Sequence, residues 1–136
     1  MFVQDIMSRE LITVGPQESL CRAAQLMRQY DVGILPVVEK ERVVGVLTDR
    51  DIVTRILACG KEVSACTVDD CMSKSTVCAN PTQQVRDAAR TMAAQQVRRV
   101  PVVDNGRLCG LLSLGDISKN GYDTEVAAAL CEISRP

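Results

Sequence analysis

The 136-residue sequence has no histidine and no tryptophan, and its aromatic residues are one phenylalanine and two tyrosines. Without histidine, there can be no Ser–His or Cys–His nucleophile pair and no histidine-ligated metal. The scarcity of aromatic side chains argues against the stacking platforms that hold single-stranded nucleic acids. A purine pocket in this chain would therefore be aliphatic, and an enzyme is the least favoured class of protein.

The chain also lacks a strong net charge and a long apolar run. Its formal net charge of −1 provides no general field for binding nucleic acid. No apolar stretch approaches the ~20 residues of a membrane span, and the start, Met1–Asp5, shows no signal peptide. With 46% hydrophobic and 24% charged residues, the composition is that of a globular domain. We therefore expect a soluble cytoplasmic protein that binds neither nucleic acid nor membrane.

The seven cysteines form no Cys-x-x-Cys motif, and their number is odd. This pattern argues against a zinc ribbon, an iron–sulfur cluster or a thioredoxin-type dithiol, so no metal site is predicted. Four of the cysteines lie between Cys59 and Cys78, near the middle of the chain. They fit reduced thiols that serve as small apolar residues, or a redox switch in this central region. The sequence leaves both interpretations open.

An internal repeat organises the chain. Asp5-x-Met7-Ser8 recurs as Asp70-x-Met72-Ser73, which sets an ungapped offset of 65 positions. At the same offset, Pro36-Val37-Val38 matches Pro101-Val102-Val103, and Gly45, Leu47, Asp51 and Ile52 match Gly110, Leu112, Asp116 and Ile117. A solenoid needs at least three repeats, so two copies of this length indicate a pseudo-symmetric pair.

Each copy predicts the element order β-α-β-β-α. In the first copy, a β-branched run is stopped by Gly15-Pro16, a helix opens at Pro16–Ser19, and two apolar strands flank a polar turn. The predicted strands are Leu11–Val14, Ile34–Val38 and Val43–Leu47. The first helix carries an apolar stripe of Leu20, Ala23, Ala24 and Met27, and the closing helix is amphipathic through Ile52, Val53, Ile56 and Leu57. Strands that alternate with helices in this way predict an α/β fold with small mixed sheets packed against helices.

The second copy differs at its turn and at its end. Asn105-Gly106 is a strong hairpin signal at the turn. The closing helix, Ile117–Gly121, loses its apolar stripe after one turn. Asp123-Thr124-Glu125 then predicts the cap of a last helix that would carry Val126, Leu130 and Ile133. That tail would cover the second unit or a partner subunit.

A hydroxyl and a carboxylate lie three residues apart where the last strand of each copy meets its helix. The pairs are Thr48 with Asp51 and Ser113 with Asp116. This spacing fits a capping box, in which the hydroxyl caps the helix and the acid reaches back. It also fits a ligand site, because an ionised carboxylate accepts the two hydroxyl donors of a ribose. From the pattern alone, either interpretation holds.

These motifs together resemble the CBS domain family. The resemblance covers residues 3 to 120 and depends most on Val97-Arg98-Arg99-Val100-Pro101-Val102-Val103 and Thr48-Asp49-Arg50-Asp51-Ile52-Val53. The chain is similar to a stand-alone CBS pair, the Bateman module, which implies tandem pseudo-symmetric repeats. The implied divisions are a first CBS motif at 3–60, a linker at 61–69, a second motif at 70–120 and a helical tail at 121–136.

The resemblance also implies an adenosine-containing ligand such as AMP, ADP, ATP or S-adenosylmethionine. In the family, the motif Asp accepts hydrogen bonds from the ribose hydroxyls, and the preceding Thr or Ser contacts phosphate or ribose. One site would combine Thr48 and Asp51 with Val97, Arg98, Arg99 and Val100. The other would combine Ser113 and Asp116 with Thr13, Val14, Gly33, Ile34 and Leu35. The two arginines suit a phosphorylated ligand, so the first site is favoured.

The function that this resemblance implies is a non-enzymatic adenine-nucleotide sensor for energy sensing. It would have no catalytic cofactor, form a homodimer of four CBS motifs arranged as a disc, and regulate an unidentified partner protein. The alternative is a ligand-free structural or interaction module under thiol-based redox control.

Overall fold

A computed structural model describes residues 1–74 and 76–136. The chain forms two compact units. The first-repeat unit is Ile12–Thr76, and the second-repeat unit combines Met1–Leu11 with Val77–Pro136. Each unit is built from helices packed on a small sheet, which confirms the predicted α/β class.

The elements follow one order in both repeats. The α-helical segments are α1 (Val3–Ile6), α2 (Leu20–Tyr30), α3 (Asp49–Asp51), α4 (Val85–Ala94), α5 (Leu114–Ser118) and α6 (Asp123–Ile133). The strands are β1 (Ile34–Glu39), β2 (Arg42–Thr48), β3 (Arg99–Asp104) and β4 (Arg107–Ser113). A π-helix spans Ile52–Leu57, and 3₁₀ turns span Val63–Ala65 and Val68–Asp70.

In the first-repeat unit, β1 and β2 form an antiparallel hairpin. Its register runs from Ile34 opposite Thr48 to Glu39 opposite Arg42. The two residues of the turn, Lys40 and Glu41, have φ angles of 52° and 67°. Positive φ at both central residues is the requirement of a type I′ turn, whose twist matches that of the strands.

The strand predicted at Leu11–Val14 is reduced to a single paired residue. Val14 bridges Val37 in parallel, with its N–H bonded to the Pro36 carbonyl at 3.2 Å. Pairing stops there because the next N–H, that of Gly15, bonds to Glu18 Oε2 at 2.6 Å, and a proline without an N–H follows. The prediction of a strand was wrong, and Val14 contributes only an isolated parallel bridge beside an antiparallel hairpin.

Helix α2 begins later than predicted. Residues from Gly15 to Glu18 form a turn, and Ser19 is the N-cap, since its hydroxyl accepts a hydrogen bond from the Arg22 N–H at 3.1 Å. The predicted start at Pro16 was therefore wrong. Among the predicted stripe, Ala24 is exposed and Leu26 is buried instead. The remaining members of the stripe are buried: Leu20, Ala23 and Met27.

The closing helix of the first repeat departs from α-geometry after Asp51. In its π-helical part, the Ala58 N–H bonds to the Val53 carbonyl, five residues back. Such a turn is wider than an α-turn, so it changes the direction in which the side chains that follow are turned. Ile56 is fully buried, whereas Val53 is 53% exposed and Leu57 is 64% exposed. The closing segment is amphipathic, but Val53 and Leu57, which were placed on its apolar side, lie on the exposed side.

The second-repeat unit contains the equivalent hairpin. Strands β3 and β4 pair from Arg99 opposite Ser113 to Asp104 opposite Arg107. Asn105 and Gly106 have φ angles of 51° and 83°, which confirms the predicted Asn-Gly turn. The helix that follows, α5, is short, as its sequence predicts.

The opening segment of each repeat packs on the body of the other copy. The Val3 N–H bonds to the Gln83 carbonyl at 2.9 Å in the second-repeat unit. At the equivalent place in the first-repeat unit, the Val68 N–H bonds to the Glu18 carbonyl, also at 2.9 Å. The compact units and the sequence repeats therefore differ by an exchange of these opening segments.

A glycine in each unit permits this close packing. Ser73 forms an antiparallel bridge with Val46, and a Cβ on the neighbouring Gly45 would lie 2.6 Å from the Ser73 carbonyl oxygen. Ser8 forms the equivalent bridge on β4, where a Cβ on Gly110 would overlap the side chain packed against it. A side chain at Gly45 would therefore displace the backbone of Ser73, and one at Gly110 would displace the side chain of Met7.

Helix α6 packs on α4 and α5. The tail therefore covers the second-repeat unit, which is one of the two places predicted for it. Ala129 is fully buried, and Val126 and Ile133 pack against the same core. Leu130, the third apolar residue that the helix was predicted to carry, is 41% exposed. The N-cap position is Tyr122, which makes no side-chain cap, and the predicted cap at Asp123 was therefore also wrong.

Polar contacts fix the tail at both ends. Arg86 Nε on α4 lies 3.1 Å from Glu125 Oε1 near the start of α6. Near its end, the Gln96 side-chain amide donates to the Glu132 carbonyl at 2.8 Å and to the Arg135 carbonyl at 3.3 Å. Within the described parts of the chain, no helix is long and apolar enough to span a membrane.

Candidate functional site

The hydroxyl–carboxylate pair of the first repeat lies at the corner between β2 and α3. Thr48 ends the strand in an extended conformation and is the N-cap of the helix. Its Oγ1 accepts a hydrogen bond from the Asp51 N–H at 3.1 Å, and Asp51 Oδ2 accepts one from the Thr48 N–H at 3.0 Å. The pair is therefore a reciprocal capping box, as one of the two interpretations predicted.

The second repeat has the same arrangement between β4 and α5. Ser113 Oγ accepts from the Asp116 N–H at 3.1 Å, and Asp116 Oδ2 accepts from the Ser113 N–H at 2.9 Å. The box uses one oxygen of each carboxylate, and both aspartates are partly exposed. Capping therefore leaves acceptor capacity on the second oxygen, and a capping role is compatible with ligand binding.

Arg55 distinguishes the carboxylate of the first repeat. Its Nε lies 3.7 Å from Asp51 Oδ1, and its Nη1 donates to the carbonyl oxygens of Cys71 at 3.1 Å and Met72 at 3.4 Å. Asn120 occupies the equivalent position of the second repeat, and its side-chain amide bonds to the Asp116 carbonyl at 2.8 Å. Our sequence reasoning missed Arg55, although an Asp–Arg pair four residues apart on a helix is a recognisable signal.

Burial affects the thiols near this site. Cys71 is 1% exposed, and this burial, with a smaller contribution from the Asp51 charge, raises the pKa of its thiol, although Arg55 acts in the opposite direction. Burial likewise raises the pKa of Cys109. The seven cysteines are thiols and are not joined in disulfides. Cys71 therefore fits the predicted role of a small apolar core residue.

The first-repeat unit holds the residues that were assigned to the Asp116 site. Ile34 lies directly opposite Thr48 in the hairpin, and the Gly33 carbonyl accepts the Asp49 N–H at 3.0 Å. A Cβ on Gly33 would lie 3.1 Å from Asp49 Oδ2, so this backbone packs closely on the start of α3. Thr13 is exposed, whereas Val14 is 2% exposed and Leu35 is fully buried.

The second-repeat unit holds the residues that were assigned to the Asp51 site. Arg99 lies opposite Ser113, and the Arg98 carbonyl accepts the Leu114 N–H at 3.0 Å. Both arginines are exposed, Val97 is partly buried, and Val100 is 2% exposed. Each unit thus brings its own strand start beside its own capping box. The combinations across the repeats stay predictions.

The burial of three of these residues limits what they can contact. Val14, Leu35 and Val100 belong to the cores of their units and offer a ligand almost no surface. The partly or fully exposed residues are better placed for direct contact. Within residues 1–74 and 76–136, no three Cys, Asp or Glu side chains are grouped so as to hold a metal ion.

Comparison with known proteins places these observations in a family. The family model described as "CBS domain" matches residues 3–58 and 68–122. The CBS domain-containing protein YhcV of Bacillus subtilis is 41% identical over 133 residues, covering 97% of this chain and 94% of that protein. Hypoxic response protein 1 of Mycobacterium tuberculosis is 36% identical over 118 residues, covering 86% and 82% of the two chains.

The fold agrees with a solved structure of the same kind. A crystal structure of Hypoxic Response Protein I, described with two coordinated zinc ions, superimposes with a TM-score of 0.81 at 36% identity. The match covers 88% of this chain and 98% of that one. The four strands and both capping boxes described above fall inside the matched family regions.

Proposed function

The chain belongs to the CBS domain family and contains two copies of the domain, and on this premise we propose that it binds an adenosine-containing ligand through Asp51. The observation that carries the proposal is the fixed orientation of this carboxylate. Asp51 Oδ2 is bonded to the backbone of Thr48, while Oδ1 has Arg55 at 3.7 Å, longer than a hydrogen bond. Oδ1 can therefore still accept a donor.

The chemistry of a ribose matches this acceptor. A vicinal diol offers two O–H donors, and an ionised carboxylate accepts without donating. Hydrogen bonds to a charged acceptor are about twice as strong as those between neutral groups. Asp51 is only 15% exposed in its side chain, so a ligand here would displace little bulk water from the carboxylate. Both features support recognition of a nucleoside.

The first repeat is the preferred site because its carboxylate has a cation beside it. The Arg55 guanidinium lies 3.7 Å from Asp51, whereas the residue equivalent to Arg55 in the second repeat is the neutral Asn120. Arg98 and Arg99, which we expect to pair with phosphate, lie on the second-repeat unit. Their participation is part of the proposal and is tested by substitution below.

The ligand would act by changing contacts with a partner protein. A ligand shifts a conformational equilibrium by its difference in affinity for the two states. We propose a regulatory sensor that forms a homodimer and carries out no reaction of its own. The alternative of thiol control is less well supported at Cys71, because the reactive species is the thiolate and burial raises the pKa of this thiol.

Calorimetry and thermal shift with AMP, ADP, ATP and S-adenosylmethionine test the proposal. A ligand at 100 times its Kd stabilises the folded state by about 2.7 kcal/mol. Asp51→Ala should weaken binding by about tenfold or more, since hydrogen bonds to charged groups contribute about 1.5–3 kcal/mol. Asp116→Ala is the matched control, and Arg98→Ala and Arg99→Ala should weaken phosphorylated ligands most. Absence of binding by all four compounds would contradict the proposal.

A further inference from the structure

Arg55 links the carboxylate of the proposed site to the segment that leads along the chain to the second repeat. Its Nε lies 3.7 Å from Asp51 Oδ1, and its Nη1 donates to the carbonyl oxygens of Cys71 and Met72. We propose that Arg55 is a positioning residue that couples the state of Asp51 to residues 71–73. The inference rests on the proposed function for its ligand, but the contacts themselves exist without one.

The contacts form a closed ring within the first-repeat unit. Ser73, which follows the two carbonyls, exchanges hydrogen bonds with Val46 at 2.9 and 3.0 Å. Val46 lies on β2, and this strand ends at Thr48, the capping partner of Asp51. Asp51 thus reaches Ser73 by two routes, through Arg55 and through β2. A change in the charge or position of the carboxylate is therefore transmitted to the Ser73 bridge.

Arg55 lies between two stretches of backbone that are anchored by buried side chains. Ile56, next to it on the π-helix, is fully buried, and Cys71 on the other side is 1% exposed. The Arg55 side chain is half exposed, so its attraction to Asp51 alone is weak. Its planar fork reaches the carboxylate and the carbonyls together, which the single ammonium of a lysine does not reproduce.

The second repeat lacks this coupling. At the offset of 65 positions, Asn120 replaces Arg55, and its amide bonds to the Asp116 carbonyl within its own helix. The counterpart of the Ser73 bridge is the bridge between Ser8 and Leu111. The equivalent bridge thus exists without an equivalent arginine, which makes Ser8 an internal reference for Ser73.

A double-mutant cycle on the ligand-free chain tests the coupling. Asp51→Asn, Arg55→Gln and the double variant are compared by amide hydrogen exchange at Ser73, with Ser8 as reference. Each single change should accelerate exchange at Ser73 by roughly three- to tenfold, and the double variant by no more than either. Exchange at Ser8 should not change. Arg55→Lys should behave as Arg55→Gln does, and Asn120→Ala should leave Ser73 unaffected.

Several outcomes would overturn the coupling. If Arg55→Gln accelerates exchange at Ser73 but Asp51→Asn does not, Arg55 stabilises residues 71–73 without coupling them to Asp51. Additive effects in the double variant, or rescue by Arg55→Lys, also contradict the proposed role of the fork. No acceleration in either single variant overturns it outright.

Measuring hydrogen exchange with ligand bound separates this inference from the proposed function. With ATP, AMP, ADP or S-adenosylmethionine bound, exchange at Ser73 should slow at least threefold more than exchange at Ser8, because binding holds the ring closed. Equal slowing at both amides would overturn the coupling to ligand. If none of the four compounds binds, the proposed function fails, while the ligand-free cycle still decides the role of Arg55.

Discussion

The capping and binding roles of the Thr48–Asp51 pair can be separated by substitution. Thr48→Ala removes the oxygen that accepts the Asp51 N–H, at a cost of about 0.5–2 kcal/mol. For a unit of this size, each 1 kcal/mol lowers Tm by about 4–8 °C. Asp51→Asn keeps an oxygen for the Thr48 N–H and loses only the charge. Its stability cost is that of a half-exposed ion pair with Arg55, about 1 kcal/mol or less.

The two variants should rank in the opposite order for ligand affinity: Asp51→Asn should weaken binding more than Thr48→Ala does. Asp51→Asn should weaken binding by roughly 10–150-fold, because the charged acceptor of the ribose is lost. Thr48→Ala should lower Tm more than Asp51→Asn does and should weaken ligand binding less. Urea titration and calorimetry with ATP measure the two quantities, and Ser113→Ala and Asp116→Asn are the matched controls. If Asp51→Asn lowers stability as much as Thr48→Ala does and leaves affinity unchanged, the carboxylate is a cap alone and our reasoning is refuted.

Three further predictions concern the supporting structure. Gly45→Ala should cost about 1–3 kcal/mol in urea unfolding, since its Cβ would lie 2.6 Å from the Ser73 carbonyl oxygen and open the bridge; an unchanged midpoint would contradict this. Ala129→Asp should destabilise the second-repeat unit by several kcal/mol in thermal unfolding, whereas Leu130→Asp should change stability by less than about 1 kcal/mol; equal effects would refute the placement of α6. Because burial raises the pKa of Cys71 above that of the unfolded chain, its contribution to stability is present below the unfolded pKa and is lost as pH rises through the folded one. The urea midpoint of the wild-type chain should therefore fall at alkaline pH more than that of Cys71→Ala, and iodoacetamide should label Cys71 more slowly than the exposed thiols.

The sequence predicted those features that depend on short-range chemistry repeated twice. The offset of 65 positions, the strands around Pro36 and Pro101, and the Asn105-Gly106 turn follow from residue type and spacing. The reciprocal cap was one of two interpretations of the Thr48 pattern, and its geometry is confirmed.

Features that depend on long-range contacts were not predictable in the same way. Ala24 and its counterpart Ala89 are the same residue at equivalent positions, yet Ala24 is exposed and Ala89 is 1% exposed. Helix α6 packs on the helix that carries Ala89, a contact that the repeat pattern does not contain. The late start of α2 and the π-helix likewise depend on where backbone N–H groups find partners, which residue type alone does not specify.

The exchange of opening segments sets an order for folding. Residues 12–76 contain all the contacts of their own unit, so this unit can close while the rest of the chain is still being synthesised. Residues 1–11 are made before their partners and must wait until residues 77–136 exist. Their docking closes a loop that spans the whole first-repeat unit, and such distant contacts are slow to form. A cut between the two repeats would therefore leave each half without the segment that completes its sheet. Cuts at both ends of residues 12–76 would keep the first-repeat unit whole but would divide the second-repeat unit into two pieces.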